Sequence, residues 1–441
     1  MYLADLIVRL RSRLAGLDTR QLSLEDRNIL YLTLDTAVQG LMMGGIFSFL
    51  TVFVVRLGAT KLQTTLLTSL PAIMLVLTSI PAGQIVQRQR DLVRFTNFVR
   101  IFHRGGVLLM ALLPFLGNDH LITIIIVVWT IKALSNALLE SSWMAVVAEV
   151  IPAHRRAQVN GMRWTILSVV TAISVAIFGY LLDSLPFPLN YQVVFMISFV
   201  GGSIGMFYWG KLRLPEGACA VTAEAAPNLR EQVRAYWRSL QVPAFVRYEI
   251  ATSVLRIGIQ MPAALYSIYW IRELAATDTW IGWQTTTSQV ATIIGYTLWG
   301  RVISRKGYFG PLLICSAGLG LYPILTGLIP TPLWLPMVSI VQGFFMTGVN
   351  IAFFDTLLAV CPSDRRPSLI ATNTMVASLA IFAAPLLGSF LAEQTHIRTV
   401  FFIAGGIHIA SAVIFWLLRI AAVSPAPIAV AQAEAAAELS E

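Results

Sequence analysis

Twelve apolar runs, most of them 20 to 28 residues long and separated by short loops, dominate the chain. A helix of that length crosses the ~30 Å hydrocarbon core of a bilayer at a rise of ~1.5 Å per residue. Only 12% of the 441 residues are charged, far fewer than a soluble protein of this size places on its surface. The sequence therefore predicts an all-α membrane protein with spans at residues 29–55, 62–86, 92–116, 120–149, 158–183, 189–211, 245–272, 279–303, 309–329, 333–360, 368–393 and 398–420.

The basic residues indicate the orientation of these spans. If the N-terminus is cytoplasmic, the inner segments hold 21 Lys and Arg residues and the outer segments hold 4. This bias is the positive-inside pattern, so we expect both termini in the cytoplasm and a plasma (inner) membrane location. It also explains the net charge of +9 without nucleic acid as a partner.

The longest loop divides the spans into two sets of six. Residues 29–211 are expected to form an N-terminal six-helix bundle and residues 245–420 a C-terminal one. The linker between them, 212–244, is predicted to carry an amphipathic helix on the inner surface, with a plain solvated linker as the alternative. Residues 1–28 are predicted to be a cytoplasmic amphipathic segment, and the Ala- and Glu-rich residues 421–441 a disordered cytoplasmic tail.

Two loops recur about half a chain apart. The segment from Val150 to Arg156 shares four of seven positions with the segment from Val360 to Arg366, and each places a Pro before a pair of arginines. A second pair of loops follows spans 2 and 8. The matching residues of all four loops are Gly83, Arg88, Arg90, Arg155, Arg156, Gly300, Arg305, Arg365 and Arg366.

These loops resemble those of the major facilitator superfamily (MFS), whose signature after spans 2 and 8 is a Gly, three residues, an Asp and then basic residues. Here Gln87 and Ser304 replace the signature Asp. The resemblance implies two pseudo-symmetric six-helix bundles, a substrate site near the midplane and alternating access by rocking of the halves. It assigns the repeated loops to gating.

In that family, spans 1, 4, 7 and 10 line the cavity, and charges within a bilayer are functional candidates by default. Helical spacing places polar residues of each span on one face. We expect Lys132 and Arg256 to face each other and bind an anionic or strongly polar group. Asp35 or Glu140 would carry a coupling proton. The other predicted substrate contacts are Gln39, Asn136, Gln260, Gln342 and Asn350.

One alternative stands beside this interpretation. Lys132 could pair with Asp35 or Glu140, and Arg256 with Glu249, as fixed ion pairs. The basic residues at the inner ends of spans 3 and 5 are expected to extend toward the membrane surface or bind loop carboxylates. They are Arg100, His103, Arg104 and Arg163.

The sequence contains no catalytic constellation, metal motif or nucleotide-binding loop. We therefore expect a secondary transporter, not an enzyme, with no cofactor, driven by a proton gradient. A polar or anionic solute is favoured. The alternatives are an exporter of amphipathic or cationic compounds and a membrane sensor or scaffold that does not transport. The expected partners are a small solute, protons and the bilayer, and the expected state is a monomer.

Overall fold

The computed structural model describes residues 23–117, 119–214, 241–362 and 366–418. Twelve helical segments and no strand occur in these ranges. The first six are α1 (Leu24–Arg56), α2 (Lys61–Gln87), α3 (Leu92–Leu112), α4 (Leu121–Val150), α5 (Ala153–Ser184) and α6 (Leu189–Trp209). The last six are α7 (Pro243–Gln260, continued by Ala263–Ile268), α8 (Asp278–Lys306), α9 (Phe309–Leu319, continued by Leu321–Leu328), α10 (Leu335–Val360), α11 (Arg366–Gln394) and α12 (Ile397–Leu417).

Ten helices in the described ranges are long and apolar enough to cross a membrane. The other two differ for visible reasons. Helix α7 is interrupted after Gln260, where Pro262 follows, and α8 carries many hydroxyl and amide side chains.

The predicted all-helical membrane class is confirmed. The predicted amphipathic segment, the linker and the tail lie outside the described residues, except for 23–28, 212–214 and 241–244.

Polar caps explain where several helices begin. Helix α1 begins five residues before the predicted span, because the Ser23 hydroxyl accepts a hydrogen bond from the Asp26 N–H at 3.1 Å. A reciprocal pair between Thr60 and Gln63 begins α2, and Asp91 caps α3. Each cap satisfies an N–H group that the first helical turn leaves without a partner. Hydropathy alone does not register these polar first turns.

A π-helical turn interrupts α1 at Met43–Phe47. Gly44 allows this turn to pack closely against α5, since a Cβ there would lie 2.6 Å from Ser174 Cβ. The turn is fixed to α6 by a hydrogen bond from the Ile46 N–H to Ser198 Oγ at 3.2 Å. Such turns redirect the side chains that follow them. Here the redirected side chains lie between two cavities described below.

The two sets of six helices meet chiefly through α5 against α8 and α2 against α11. We call the end of the molecule where α1 begins the basic end, which is the predicted cytoplasmic one, and the opposite end the far end. Near the far end α5 and α8 approach closely. A Cβ on Gly179 would lie 2.8 Å from the Asp278 carbonyl oxygen, and one on Gly282 would lie 2.9 Å from that of Val175.

Polar contacts between the two halves are concentrated at the far end. Arg56 donates to Asp278 Oδ1 from Nε at 3.1 Å and from a terminal nitrogen at 3.0 Å. Tyr191 donates to the same oxygen at 2.7 Å. Asp183 of α5 accepts hydrogen bonds from the first N–H groups of α8, at Asp278 and Thr279. The far end is therefore closed in this conformation.

Candidate functional site: a basic cluster buried in the first six helices

A cavity of about 430 Å³ lies between α1, α3, α4 and α5. Its walls combine apolar and aromatic side chains with a group of basic ones, and the basic group lies at the depth of Gln39 on α1. A pocket of this size and mixed lining is typical of a small-molecule site. The lining residues are Asp35, Thr36, Gln39, Met43, Phe47, Thr96, Arg100, His103, Arg104, Asn136, Leu139, Glu140, Trp143, Arg163, Trp164 and Leu167.

Asp35 and Arg100 form a buried, two-point ion pair. The terminal nitrogens of Arg100 donate to Asp35 Oδ1 at 2.7 Å and to Oδ2 at 3.0 Å. The guanidinium also lies over the Trp209 ring, 4.3 Å from its centroid. Paired hydrogen bonds of this kind are the strongest that Arg makes with a carboxylate. Both carboxylate oxygens of Asp35 therefore accept from Arg100 in this state.

Arg104 lies one helical turn further along α3 and lacks a carboxylate of its own. It donates to Gln39 Oε1 at 2.7 Å and contacts the Met42 sulfur. Its side chain is buried, at 4% exposure, and Nε has no hydrogen-bond partner among the described residues. An unsatisfied buried donor is costly to leave without a partner. Arg104 also lines the cavity and has no carboxylate of its own, so an anionic ligand there would compensate its charge.

Two further basic side chains border this group. Arg163 of α5 donates to Thr36 Oγ1 at 2.9 Å and lies 5.0 Å from the Trp143 ring centroid. Lys132 of α4 lies over the Trp129 ring at 3.9 Å. No carboxylate of the described ranges lies within ion-pair distance of Lys132. The partners of Arg163 and Lys132 are neutral, so neither charge is compensated by an ion pair.

The cluster thus contains four buried basic side chains and one buried carboxylate. The basic ones are Arg100, Arg104, Lys132 and Arg163, each exposed by 8% or less, and the carboxylate is Asp35. Glu140 also lines the cavity, but its side chain is exposed. Unpaired charge is expensive inside a membrane protein. An excess of buried positive charge around the cavity is therefore the arrangement that an anionic ligand would complete.

The structure brings together part of the predicted site. Asp35, Gln39, Asn136 and Glu140 line the cavity. Lys132 does not line it, because its stem packs against Gly106 of α3 and its amine turns toward the Trp129 and Phe47 rings.

Arg256 lies elsewhere, in the second half. It donates to Asn373 Oδ1 at 2.7 Å and lies 3.5 Å from Glu249. The expected arrangement of Lys132 and Arg256 facing each other in one cavity is therefore not found, because each side chain is held by its own half. Gln260 and Gln342 line a separate cavity, and Asn350 is exposed on α10.

The repeated loops lie at the basic end. Gly83 lies in the last turns of α2, and Arg88 and Arg90 follow its end with exposed side chains. Gly300 and Arg305 lie in the last turns of α8. Arg155 donates to Asp26 Oδ1 at 2.9 Å and so connects α5 to the start of α1. The side chains of Arg156 and Arg366 and the whole of Arg365 lie outside the described residues. Their gating role remains a prediction.

The prediction for the inner arginines was wrong. The side chains of Arg100, Arg104 and Arg163 contact partners within the cavity, and they neither extend to the membrane surface nor bind loop carboxylates. A signal was present, because Thr96, Arg100 and Arg104 follow one another at four-residue spacing and therefore share a face of α3. Arg104 lies twelve residues into α3, about 18 Å from its start, too deep for its side chain to reach the surface easily.

Comparison with known proteins finds similarity to membrane transporters. A family model described as Major Facilitator Superfamily matches residues 248–440. Fatty acid resistance protein FarB from Neisseria gonorrhoeae is 29% identical over 181 residues, which cover 41% of this chain and 34% of that protein. The match thus spans about a third of the length of this curated relative.

Solved structures of transporters share the fold over most of the chain. A crystal structure of the nucleoside transporter NupG has a TM-score of 0.70 at 14% identity, over 89% of this chain and 100% of that one. A POT family transporter in complex with 5-aminolevulinic acid has a TM-score of 0.70 at 11% identity, over 90% and 97%. A D-xylose-proton symporter has 0.66 at 14% identity, over 89% and 98%. These likenesses confirm the predicted fold of two six-helix bundles.

Proposed function

We propose that this protein is a member of the Major Facilitator Superfamily, whose family model matches residues 248–440, and that it transports amphipathic organic anions and couples their movement to a proton. Membership of that family would make it a multi-pass membrane protein and a secondary transporter. The nature of the solute, the coupling ion and the cytoplasmic location of both termini are parts of the proposal.

The observation that carries the proposal is the uncompensated basic cluster. Arg104 lines the cavity beside Gln39 without a carboxylate of its own, and a carboxylate, sulfonate or phosphate group would compensate its charge. The same cavity has an apolar side, which includes Met43, Phe47 and Trp164. A solute with one anionic end and an apolar body fits both features. The name of the FarB relative refers to resistance to fatty acids, which are solutes of this class.

The Asp35–Arg100 pair supplies a route for proton coupling. While Asp35 is ionised, it occupies the donors of Arg100. When a proton neutralises Asp35, Arg100 becomes free to bind the solute anion, so proton and anion favour each other's binding. Such mutual favouring is reciprocal by linkage. The proton and the anion would then cross in the same direction.

The closed far end fits one step of alternating access. The contacts of Arg56 and Asp278 hold the halves together there, and the cavity would exchange solute with the predicted cytoplasmic side. Opening the far end requires these contacts to separate. Transport would alternate between the two arrangements.

The alternative of a cationic substrate is disfavoured by the same cluster. A cation entering the cavity would meet the basic side chains of Arg104 and Arg163, and it would have to compete with Arg100 for Asp35. A membrane sensor or scaffold would differ from the proposed transporter in one property, because it would bind the solute without moving it.

A binding experiment with decanesulfonate tests the proposal, since a sulfonate stays ionised and does not cross a bilayer as a neutral acid. The protein is placed in nanodiscs and titrated by calorimetry, with empty nanodiscs as the blank. We expect binding to weaken at least tenfold in Arg104→Gln and to be largely retained in Arg104→Lys. Arg94→Gln is the matched control, because Arg94 lies on the same helix with an exposed side chain.

Titration in two buffers with different ionisation enthalpies then measures the proton. We expect about one proton to be taken up with each anion by the native chain and none by Asp35→Asn, whose affinity should not change with pH. Uptake of decanesulfonate into proteoliposomes with an imposed pH gradient completes the test. Equal binding by native protein and Arg104→Gln contradicts the anion site, and binding without uptake supports the sensor alternative.

A further inference from the structure

A second cavity, of about 360 Å³, lies in the last six helices, with Ser48 of α1 as part of its wall. It differs from the first cavity in chemistry, because no acidic or basic side chain lines it. Hydroxyl, carboxamide and aromatic groups face it instead. Its defining residues are Gln260, Gln284, Gln342, Tyr266, Trp270 and Tyr322.

Several polar groups of this cavity lack a partner. The carboxamides of Gln260 and Gln342 make no hydrogen bond to any residue that the structure describes. Trp270 is buried, at 9% exposure, and its Nε1 donor has no partner in the described ranges. Gln260 and Gln342 are half-buried and line the cavity, so their carboxamides can bond to water or to the neutral polar groups of a ligand.

Stacked aromatic rings form one side of the cavity. The rings of Tyr266 and Trp270 stack with an interplanar angle of 23°, and Tyr266 also stacks on Phe401 with centroids 4.8 Å apart. A flat apolar face beside carboxamide groups suits a neutral ring that carries hydroxyls. It does not suit an ionised group, because nothing in the wall would neutralise one.

The two cavities lie on either side of the π-helical turn of α1. Met43 and Phe47 line the first cavity, and the next residue, Ser48, lines the second. Gln39, the partner of Arg104, precedes Ser48 by nine residues, which corresponds to about 14 Å along a helix. One solute of that length could reach both polar regions, with its apolar middle against Met43 and Phe47.

We propose that the second cavity binds the other end of the same solute, opposite its anionic group, and that this end is a neutral ring bearing hydroxyl groups. The inference rests on the proposed function and narrows its substrate class to glycosylated or similarly hydroxylated amphipathic anions. The anionic end would lie at Arg104, the chain would pass Phe47, and the ring would lie between the carboxamides of Gln260 and Gln342 and the stacked face of Trp270.

Three matched probes test this assignment: decanesulfonate, the same chain ending in a glucosyl ring, and the same chain ending in a cyclohexyl ring. Each is titrated into the protein in nanodiscs by calorimetry. We expect the glucosyl probe to bind at least tenfold more tightly than the other two. Gln342→Leu and Trp270→Phe should each remove most of that advantage while leaving decanesulfonate affinity unchanged. Gln289→Leu, a half-buried glutamine of α8 outside the cavity, should keep it.

The outcomes separate this inference from the proposed function. If decanesulfonate binds, Arg104→Gln weakens it, and the glucosyl ring brings no advantage, the second cavity is not a subsite, while the anion site stands. An equal advantage for the cyclohexyl ring also overturns the inference, since it would show that size alone matters. If Arg104→Gln leaves the binding of all three probes unchanged, the proposed function itself fails. Thermal unfolding of each variant verifies that it is folded.

Discussion

The far-end contacts predict that one substitution will open the molecule. Asp278 accepts from both Arg56 and Tyr191, and its side chain is only 4% exposed. Replacing it by Asn keeps the shape and removes the charge. Breaking a buried ion pair costs about 3 to 5 kcal/mol. The Arg56 side chain is 26% exposed, so water offsets part of this cost and about 2 to 3 kcal/mol remains.

That cost applies to one state only. The pair joins the two halves, so it exists when the far end is closed and is separated when the far end is open. An interaction shifts a conformational equilibrium only if it contributes a different free energy to each of the two states. A change of about 2 to 3 kcal/mol corresponds to roughly a 30- to 150-fold shift toward the open far end, at tenfold per 1.4 kcal/mol. A state populated at the per cent level in the native protein would become a substantial fraction.

Electron–electron resonance between two spin labels measures the shift. Ser184 at the end of α5 and Gln394 at the end of α11 are exposed, lie at the far end and belong to different halves. In a cysteine-free background, Asp278→Asn should add a longer-distance population that the native sequence lacks. Asp91→Asn is the matched control, since Asn keeps the α3 cap and its ion pair with Arg94 is exposed. An unchanged distance distribution in Asp278→Asn would refute the reasoning.

Three further predictions follow from individual contacts. Asp183→Ala removes the carboxylate that caps α8 from the other half, so the same spin labels should show a smaller shift, of about 1 kcal/mol. Gly343→Ala places a Cβ against a carbonyl oxygen of α8 and should lower the melting temperature through about 1 to 3 kcal/mol of overpacking, whereas Gly406→Ala, with open space around it, should not. Asp35→Ala leaves a buried guanidinium without its partner and should destabilise the fold by about 3 to 5 kcal/mol, as measured by thermal unfolding. Asp35→Ala combined with Arg100→Leu should recover most of that loss.

The helices were predictable because the bilayer imposes their length. Every backbone group of a span must be satisfied within the helix. The apolar runs therefore predicted twelve spans, and most of their ends lie within a few residues of the observed helix ends. Helix α8 shows that the composition of a helix predicts a span less well than its position among the other helices does. Its hydroxyl groups bond to carbonyl oxygens of neighbouring helices, as Thr286 does to Ala172 at 3.0 Å and Thr287 to Pro336 at 3.0 Å. A polar span is stable where such acceptors lie opposite it.

The candidate site was only partly predictable, because it depends on how helices rotate against one another. Helical spacing correctly grouped Asp35 with Gln39, which lie on one face of one helix. It could not show that Asp35 meets Arg100 of another helix, since no sequence pattern relates residues 65 positions apart. The rule that arginines near span ends extend to the surface failed for Arg104, because the depth of its Cα exceeds the reach of its side chain.

The distribution of charge between the halves leads to one last prediction about how binding drives movement. Arg100, Arg104 and Arg163 all belong to the first six helices, so the anion is held by one rigid half. Rocking of the halves need not change those contacts, and a ligand shifts an equilibrium only through unequal affinity for the two states. Contacts with the second half, such as those of Gln342, must therefore supply the difference in affinity between the two states. With the Ser184 and Gln394 labels, decanesulfonate at saturation should change the distance distribution little, whereas the glucosyl probe should change it strongly in the native protein and weakly in Gln342→Leu. An equal response to both probes would mean that the anion contacts themselves differ between the two states.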